Sequence, residues 1–126
     1  VTIIQTTIEK VNDHILFEKY PVVIDSKIVS HEYLLDSLFK YLYISKQIKS
    51  YNHLENELKV SGVFNIIHND NDQKLSVEVK NDKDFVEILL NPYSVLIVPS
   101  RWYIKCKKPI TVIELYDVMH LFIQFI

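Results

Sequence analysis

The chain has 126 residues, 48% hydrophobic and 24% charged, with a formal net charge of −2. That length suits one domain of roughly 100–200 residues and can bury a core, which excludes a disordered chain. The charge excludes a generally basic, nucleic-acid-coating surface. The composition is skewed: no alanine, one glycine (Gly62), 17 isoleucines, 13 lysines against one arginine (Arg101), and eight each of asparagine and tyrosine. Ile, Lys, Asn and Tyr share A/T-heavy codons, so the skew points to an AT-rich genome rather than to a chemistry.

In chain order, Val1 to Ile8 alternates loosely and reads as a strand whose open edge can pair with a partner strand. The chain opens without a methionine and already in a hydrophobic pattern, as expected of part of a longer or processed polypeptide. Asn12-Asp13 reads as a turn. Ile15 to Ile24 reads as extended segments broken by Pro21, with Val22-Val23-Ile24 the best early strand. Ser30 suits a helix N-cap, and Leu34, Leu35, Leu38, Phe39, Leu42 and Ile48 recur at helical spacing. These predict one long helix, His31 to Ile48, covering a sheet. From Lys59 the pattern predicts strands over Val60 to Ile67, Leu75 to Lys80, Phe85 to Leu90, Val95 to Val98, Trp102 to Ile104 and Ile110 to Tyr116. Polar turns separate them, and Asp117 is placed to cap a short final helix, Val118 to Phe125. Strands at about ten-residue spacing indicate an antiparallel sandwich or barrel. No repeat or linker divides the chain, so residues 1–126 form one domain.

Chemistry-bearing patterns are few. Cys106 is the sole cysteine, so no intrachain disulfide forms. Lys105, Lys107 and Lys108 beside it favour a thiolate, but no His or helix N-terminus is near in sequence, so a structural role is expected. His68 and Asp70 have the spacing of two metal ligands at a strand end, and a distant His such as His120 would complete a facial triad. The same Asn69-Asp70-Asn71-Asp72 run also suits a turn whose side chains bond local backbone. His14, His31 and His53 are scattered. There is no glycine-rich phosphate loop and no zinc-type Cys/His spacing. Arg101, Lys105, Lys107 and Lys108, interleaved with Trp102 and Tyr103, form a basic strip. It suits an acidic partner, single-stranded nucleic acid, or simply a solvated strand face. Ile110 to Ile126 is 17 residues broken by Glu114, Asp117 and His120, so a buried element is expected there rather than a membrane span. No signal peptide is visible.

The stretch Leu90-Asn91-Pro92-Tyr93-Ser94-Val95-Leu96-Ile97-Val98-Pro99-Ser100-Arg101-Trp102-Tyr103 resembles the late strands of cupin-like domains related to Jumonji-type oxygenases. It is similar above all to a cupin-like group in nucleocytoplasmic large DNA viruses, where a Pro-to-Trp turn precedes a strand ending in tyrosine, here Ile110 to Tyr116. Tyr20-Pro21-Val22-Val23-Ile24 resembles the entrance of the Jumonji-like domains. The resemblance covers about a third of the chain. It places Ile104 where the oxygenases carry a metal histidine, and isoleucine cannot ligate a metal. It therefore implies a mainly β domain with one long helix, a small cupin-like antiparallel barrel or jelly roll without cofactor. The expected function is a non-enzymatic structural or protein-interaction component of a large DNA virus, in the virion or the host cytoplasm. Its partners would be other proteins such as capsid or virion components, with Tyr93, Arg101, Trp102 and Tyr103 as anchors. The alternatives are a divergent non-haem iron/2-oxoglutarate oxygenase using His68 and Asp70, and a nucleic-acid-binding β-domain using the basic strip.

Overall fold

Two kinds of strand are written in this chain, and they occupy different sheets. Val95–Pro99 and Ile110–Tyr116 are nearly continuous apolar runs, whereas Leu75–Lys80 alternates apolar with polar. Continuous runs suit strands buried on both faces, and alternation suits strands with one wet face. The computed structural model describes residues 4–6, 20–25, 27–28, 31–35, 45–52, 54–62 and 64–116. Its elements are β1 (Ile4–Thr6), β2 (Val22–Ile24), α1 (His31–Leu34), β3 (Ser45–Tyr51), β4 (Leu54–Lys59), β5 (Phe64–His68), β6 (Leu75–Lys80), β7 (Phe85–Leu90), β8 (Val95–Pro99), β9 (Tyr103–Cys106) and β10 (Ile110–Tyr116).

A six-stranded sheet has the order β1-β2-β8-β5-β10-β3, and a four-stranded sheet the order β4-β9-β6-β7. Every pair is antiparallel except β1 with β2. From β3 onward the chain changes sheet at each connection except the β6–β7 hairpin. This is two-sheet jelly-roll winding, laid out as a sandwich. Val23, Ile67, Leu96, Val98 and Val112 of the larger sheet pack against Val77, Val79, Ile88, Leu90 and Ile104 of the smaller one. The larger sheet's opposite face is also buried, with Ile28 and Leu35 packed against Ile24, Ile66, Val95, Ile97, Ile113 and Leu115. Each such side chain contributes roughly 1.5–3 kcal/mol on burial.

The architecture corrects two expectations. It is a β-sandwich rather than a closed barrel: β1, β3, β4 and β7 are sheet edges among the described residues. The long helix over His31 to Ile48 is also not present. Among the described residues helix is confined to the single turn α1, and Ser45–Tyr51 is strand β3, in seven-residue register with β10 from Ile110↔Tyr51 to Tyr116↔Ser45. The physical reason lies in β10, buried along its whole length, whose N–H and C=O groups need partners on both edges. β5 supplies one edge and β3 the other, and that tertiary demand outweighs the helical spacing of Ile48. Residues 36–44 of the expected helix, and the final helix from Val118 to Phe125, lie outside the described residues.

Side chains finish the corners. Asn81 Oδ1 accepts from Lys83 N–H at 2.9 Å and Asp84 N–H at 2.7 Å, closing the β6–β7 hairpin. In 91–94 the Ser94 N–H donates to Asn91 C=O at 3.0 Å, with Pro92 next and Tyr93 at φ 62°. This is a type II turn with tyrosine where glycine is usual. Gly62 is the one place where a missing Cβ matters. A methyl there would lie 2.7 Å from Leu115 N, Leu115 O and Asn65 Oδ1. The loop before β5 therefore rests directly on the β10 backbone.

Candidate functional site

The anchors expected from the sequence do not form one surface. Tyr93 lies just before β8 and Arg101 just after it, at opposite ends of the strand. Trp102 corrects its expected role, because it is only 4% exposed and belongs to the core between the sheets. It is buried because 100–102 carries the chain from one sheet to the other. There Arg101 N–H donates to Val60 C=O and Val60 N–H to Trp102 C=O, both at 2.9 Å. Arg101 is exposed with φ 71°. Tyr103 is half-buried, with the Lys59 ammonium 5.6 Å from its ring centroid, and Tyr93 is likewise covered by Lys27 at 5.2 Å.

His68 and Asp70 are brought together, as their spacing implied, and are bound to each other. His68 is buried at the end of β5, with Nε2 2.6 Å from Ile28 C=O and Nδ1 2.6 Å from Asp70 Oδ1. The Ile28 carbonyl can only accept, so Nε2 is the donor of that bond. Asp70 Oδ2 accepts from Thr111 Oγ1, the residue opposite His68 in the β5–β10 ladder. Both ring nitrogens are thus engaged in holding the segment before α1 and the turn after β5. Among the described residues no group of three or more His, Cys, Asp or Glu side chains is placed to hold an ion. His120 lies outside them. The neighbouring asparagines act as a turn: Asn69 Oδ1 accepts from Asn71 N–H at 3.0 Å, and Asn69 Nδ2 donates to Gln73 C=O at 2.8 Å and Asn91 C=O at 3.1 Å.

The basic strip divides. Arg101 stands at the start of β9, while Lys105, Lys107 and Lys108 gather at its other end around a groove of about 390 Å³ on the outer face of the smaller sheet. Lys74, from the β5–β6 connection, completes the ring of cations. The registers Val77↔Cys106 and Glu78↔Lys105 bring these distant segments together. Ser76, Glu78, Glu87 and Leu89 line the same groove, and Ser76 Oγ donates to Glu87. Four lysines against two glutamates leave the groove positive. Among the described residues none of the four lysines is in an ion pair. Cys106 lies beneath it with its side chain buried, and burial pushes its thiol above the ordinary 9.0. Backbone hydrogen bonds at Lys108 and Lys107 and the Lys108 charge pull the other way without overcoming this. The thiol is therefore not an activated nucleophile.

Beside the groove runs β7, hydrogen-bonded to β6 alone among the described residues. On its outer face Phe85 is 58% and Leu89 61% exposed. Sequence reasoning passed over this pair and Lys74. The alternation in Phe85–Leu90 marks one face of β7 as wet, but only the sheet order shows that Phe85 and Leu89 are on that face and at an edge. Among the described residues no helix is long and apolar enough to cross a membrane. No protein-family model and no curated protein matches the chain.

Proposed function

We propose that this protein is a non-enzymatic interaction component of a large DNA virus, acting in the virion or the host cytoplasm, with other proteins, capsid or virion components among them, as partners. The observation that carries the reading is the exposed pair Phe85 and Leu89 on a strand that, among the described residues, has no neighbour on its far side. Large apolar side chains on an open strand edge invite association, and a soluble domain without a partner usually blunts such an edge with charge. On β3, an edge of the larger sheet among the described residues, Lys46 and Lys49 flank the exposed Ile48 in this way. Covering Phe85 and Leu89 is worth roughly 1.5–3 kcal/mol each before the costs of association. The A/T-codon bias supports the viral source. Jelly-roll winding is shared by capsid, lectin and cupin domains and supports a structural role by analogy of fold alone.

The test is quantitative mass spectrometry of purified particles and of the infected-cell fraction, with wild-type protein and a Phe85→Ser/Leu89→Ser variant. Wild type at constant stoichiometry in a complex, and loss of the variant from it, is the expected result. A variant that co-fractionates like wild type, or a wild type found only as a free monomer, overturns the reading.

A further inference from the structure

Resting on that reading, we infer that the lysine-ringed groove of the smaller sheet receives an acidic, extended segment of the partner protein. The carboxylates of that segment lie on Lys74, Lys105, Lys107 and Lys108, and an apolar side chain lies on Leu89.

The first argument is charge complementarity. Four ammonium groups from two separate parts of the chain converge on about 390 Å³, with no ion pair among the described residues. This happens in a protein whose net charge is −2, so the concentration is local. The volume is of the order seen for preformed ligand sites, roughly 300–1,000 Å³. A lysine ammonium is a mobile point charge with three donors, suited to single carboxylates rather than to one fixed bidentate partner.

The second argument concerns the class of anion. Glu78 and Glu87 line the same groove, and their carboxylates repel a continuous phosphate backbone. A peptide tolerates them, because its own N–H groups donate to carboxylates and its acidic side chains can be spaced to the lysines. Single-stranded nucleic acid also wants aromatic faces for stacking. Trp102 is buried in the core, and Tyr103 faces Lys59 near the start of β9, away from Lys107 and Lys108. Leu89 offers an apolar contact that a peptide can use.

The probe is a fluorescein-labelled peptide of about ten residues alternating Glu and Leu, titrated by anisotropy against a labelled oligothymidylate of equal charge. Two variants accompany wild type. Lys107→Glu/Lys108→Glu reverses the groove, and Lys83→Glu changes an exposed lysine of the β6–β7 turn. Expected is saturable peptide binding that weakens with added salt and falls about tenfold or more in the groove variant. Lys83→Glu should leave it within about twofold, and thermal midpoints should not move, since the substituted lysines are exposed. No saturable binding, or equal weakening by Lys83→Glu, overturns the assignment. So does oligothymidylate binding tighter than the peptide. If Phe85→Ser/Leu89→Ser protein leaves its complex while the groove variant stays, the groove assignment fails and the interaction reading stands. If wild type enters no complex yet binds the peptide, the interaction reading fails and the groove assignment survives as a property of the isolated domain.

Discussion

Replacing Gly62 by alanine tests the packing of the whole larger sheet with one methyl group. The added carbon would sit 2.7 Å from Leu115 N and O, where an unstrained contact needs well over 3 Å. β10 cannot yield easily, because it is hydrogen-bonded on one side to β5 and on the other to β3. Overpacking of this kind costs about 1–3 kcal/mol. The loop must lift, which strains two bonds: Gly62 N–H to Asn65 Oδ1 and Asn65 Nδ2 to Gly62 C=O, both 2.9 Å. Asn65 is fully buried, so weakening them adds about 1–3 kcal/mol for poorly satisfied polar groups. The stiffer unfolded chain returns about 0.4–1 kcal/mol. The net expectation is a loss of about 3 kcal/mol, near 10 °C in thermal midpoint for a domain of this size. Urea denaturation followed by circular dichroism measures it, with Asn65→Ala as a companion. Asn65→Ala removes one of the three clashing atoms but leaves both backbone atoms of Leu115, so it should not rescue the alanine variant. A Gly62→Ala protein within about 0.5 kcal/mol of wild type would refute the contact between this loop and β10.

Three further outcomes follow from other parts of the molecule. Trp102 is the sole tryptophan and is buried, so native emission should be blue-shifted, and Trp102→Ala should cost about 3–5 kcal/mol, far more than Tyr103→Ala. A red-shifted native spectrum would place the indole in water. Arg101 sits at φ 71°, a conformation that costs an L-residue about 1–2 kcal/mol, so Arg101→Gly should match or slightly exceed wild type while Arg101→Val loses at least about 1 kcal/mol in urea titrations. Folding raises the Cys106 thiol above the ordinary 9.0, so the native state holds this proton more tightly than the unfolded chain. Its contribution is full below 9.0 and is lost as pH rises from there through the folded value. Stability should therefore drop from about pH 8 to about pH 10 by more in wild type than in Cys106→Ala, and iodoacetamide should label the native thiol far more slowly than the unfolded one. Equal labelling rates would refute the burial.

The residues that announce themselves in the sequence are those whose neighbours are local. Leu75, Val77 and Val79 alternate with polar partners and end in Asn81-Asp82-Lys83-Asp84, and strand, turn and return strand all lie within sixteen residues. His68 and Asp70 meet because residues two apart at a strand end share a side. β3 and β4 are illegible for the opposite reason. Ser45–Tyr51 is an edge strand exposed along most of its length, so it has no apolar alternation, and its identity comes from β10, about sixty residues later. Leu54–Lys59 places two leucines four apart, a helix-like spacing, and becomes a strand through β9. The groove hid likewise, because Lys74 and Lys107 meet only through the β6–β9 ladder. Trp102 followed a turn signal and looked exposed, but a connection that passes between two sheets carries its side chain inward.

The position of β10 has a consequence for how the chain is made. β3 has β10 as its only hydrogen-bonded neighbour among the described residues, and β5 has β10 on one of its two edges. During synthesis β3 must therefore wait for more than half of the described chain before its partner emerges, and β5 presents an open edge until then. Among the described strands only the β6–β7 hairpin closes from local sequence. Long loop closures of this kind slow folding. A nascent chain halted before Ile110 exposes strand edges that the finished protein hides, and exposed edges of this kind make incomplete chains prone to aggregate.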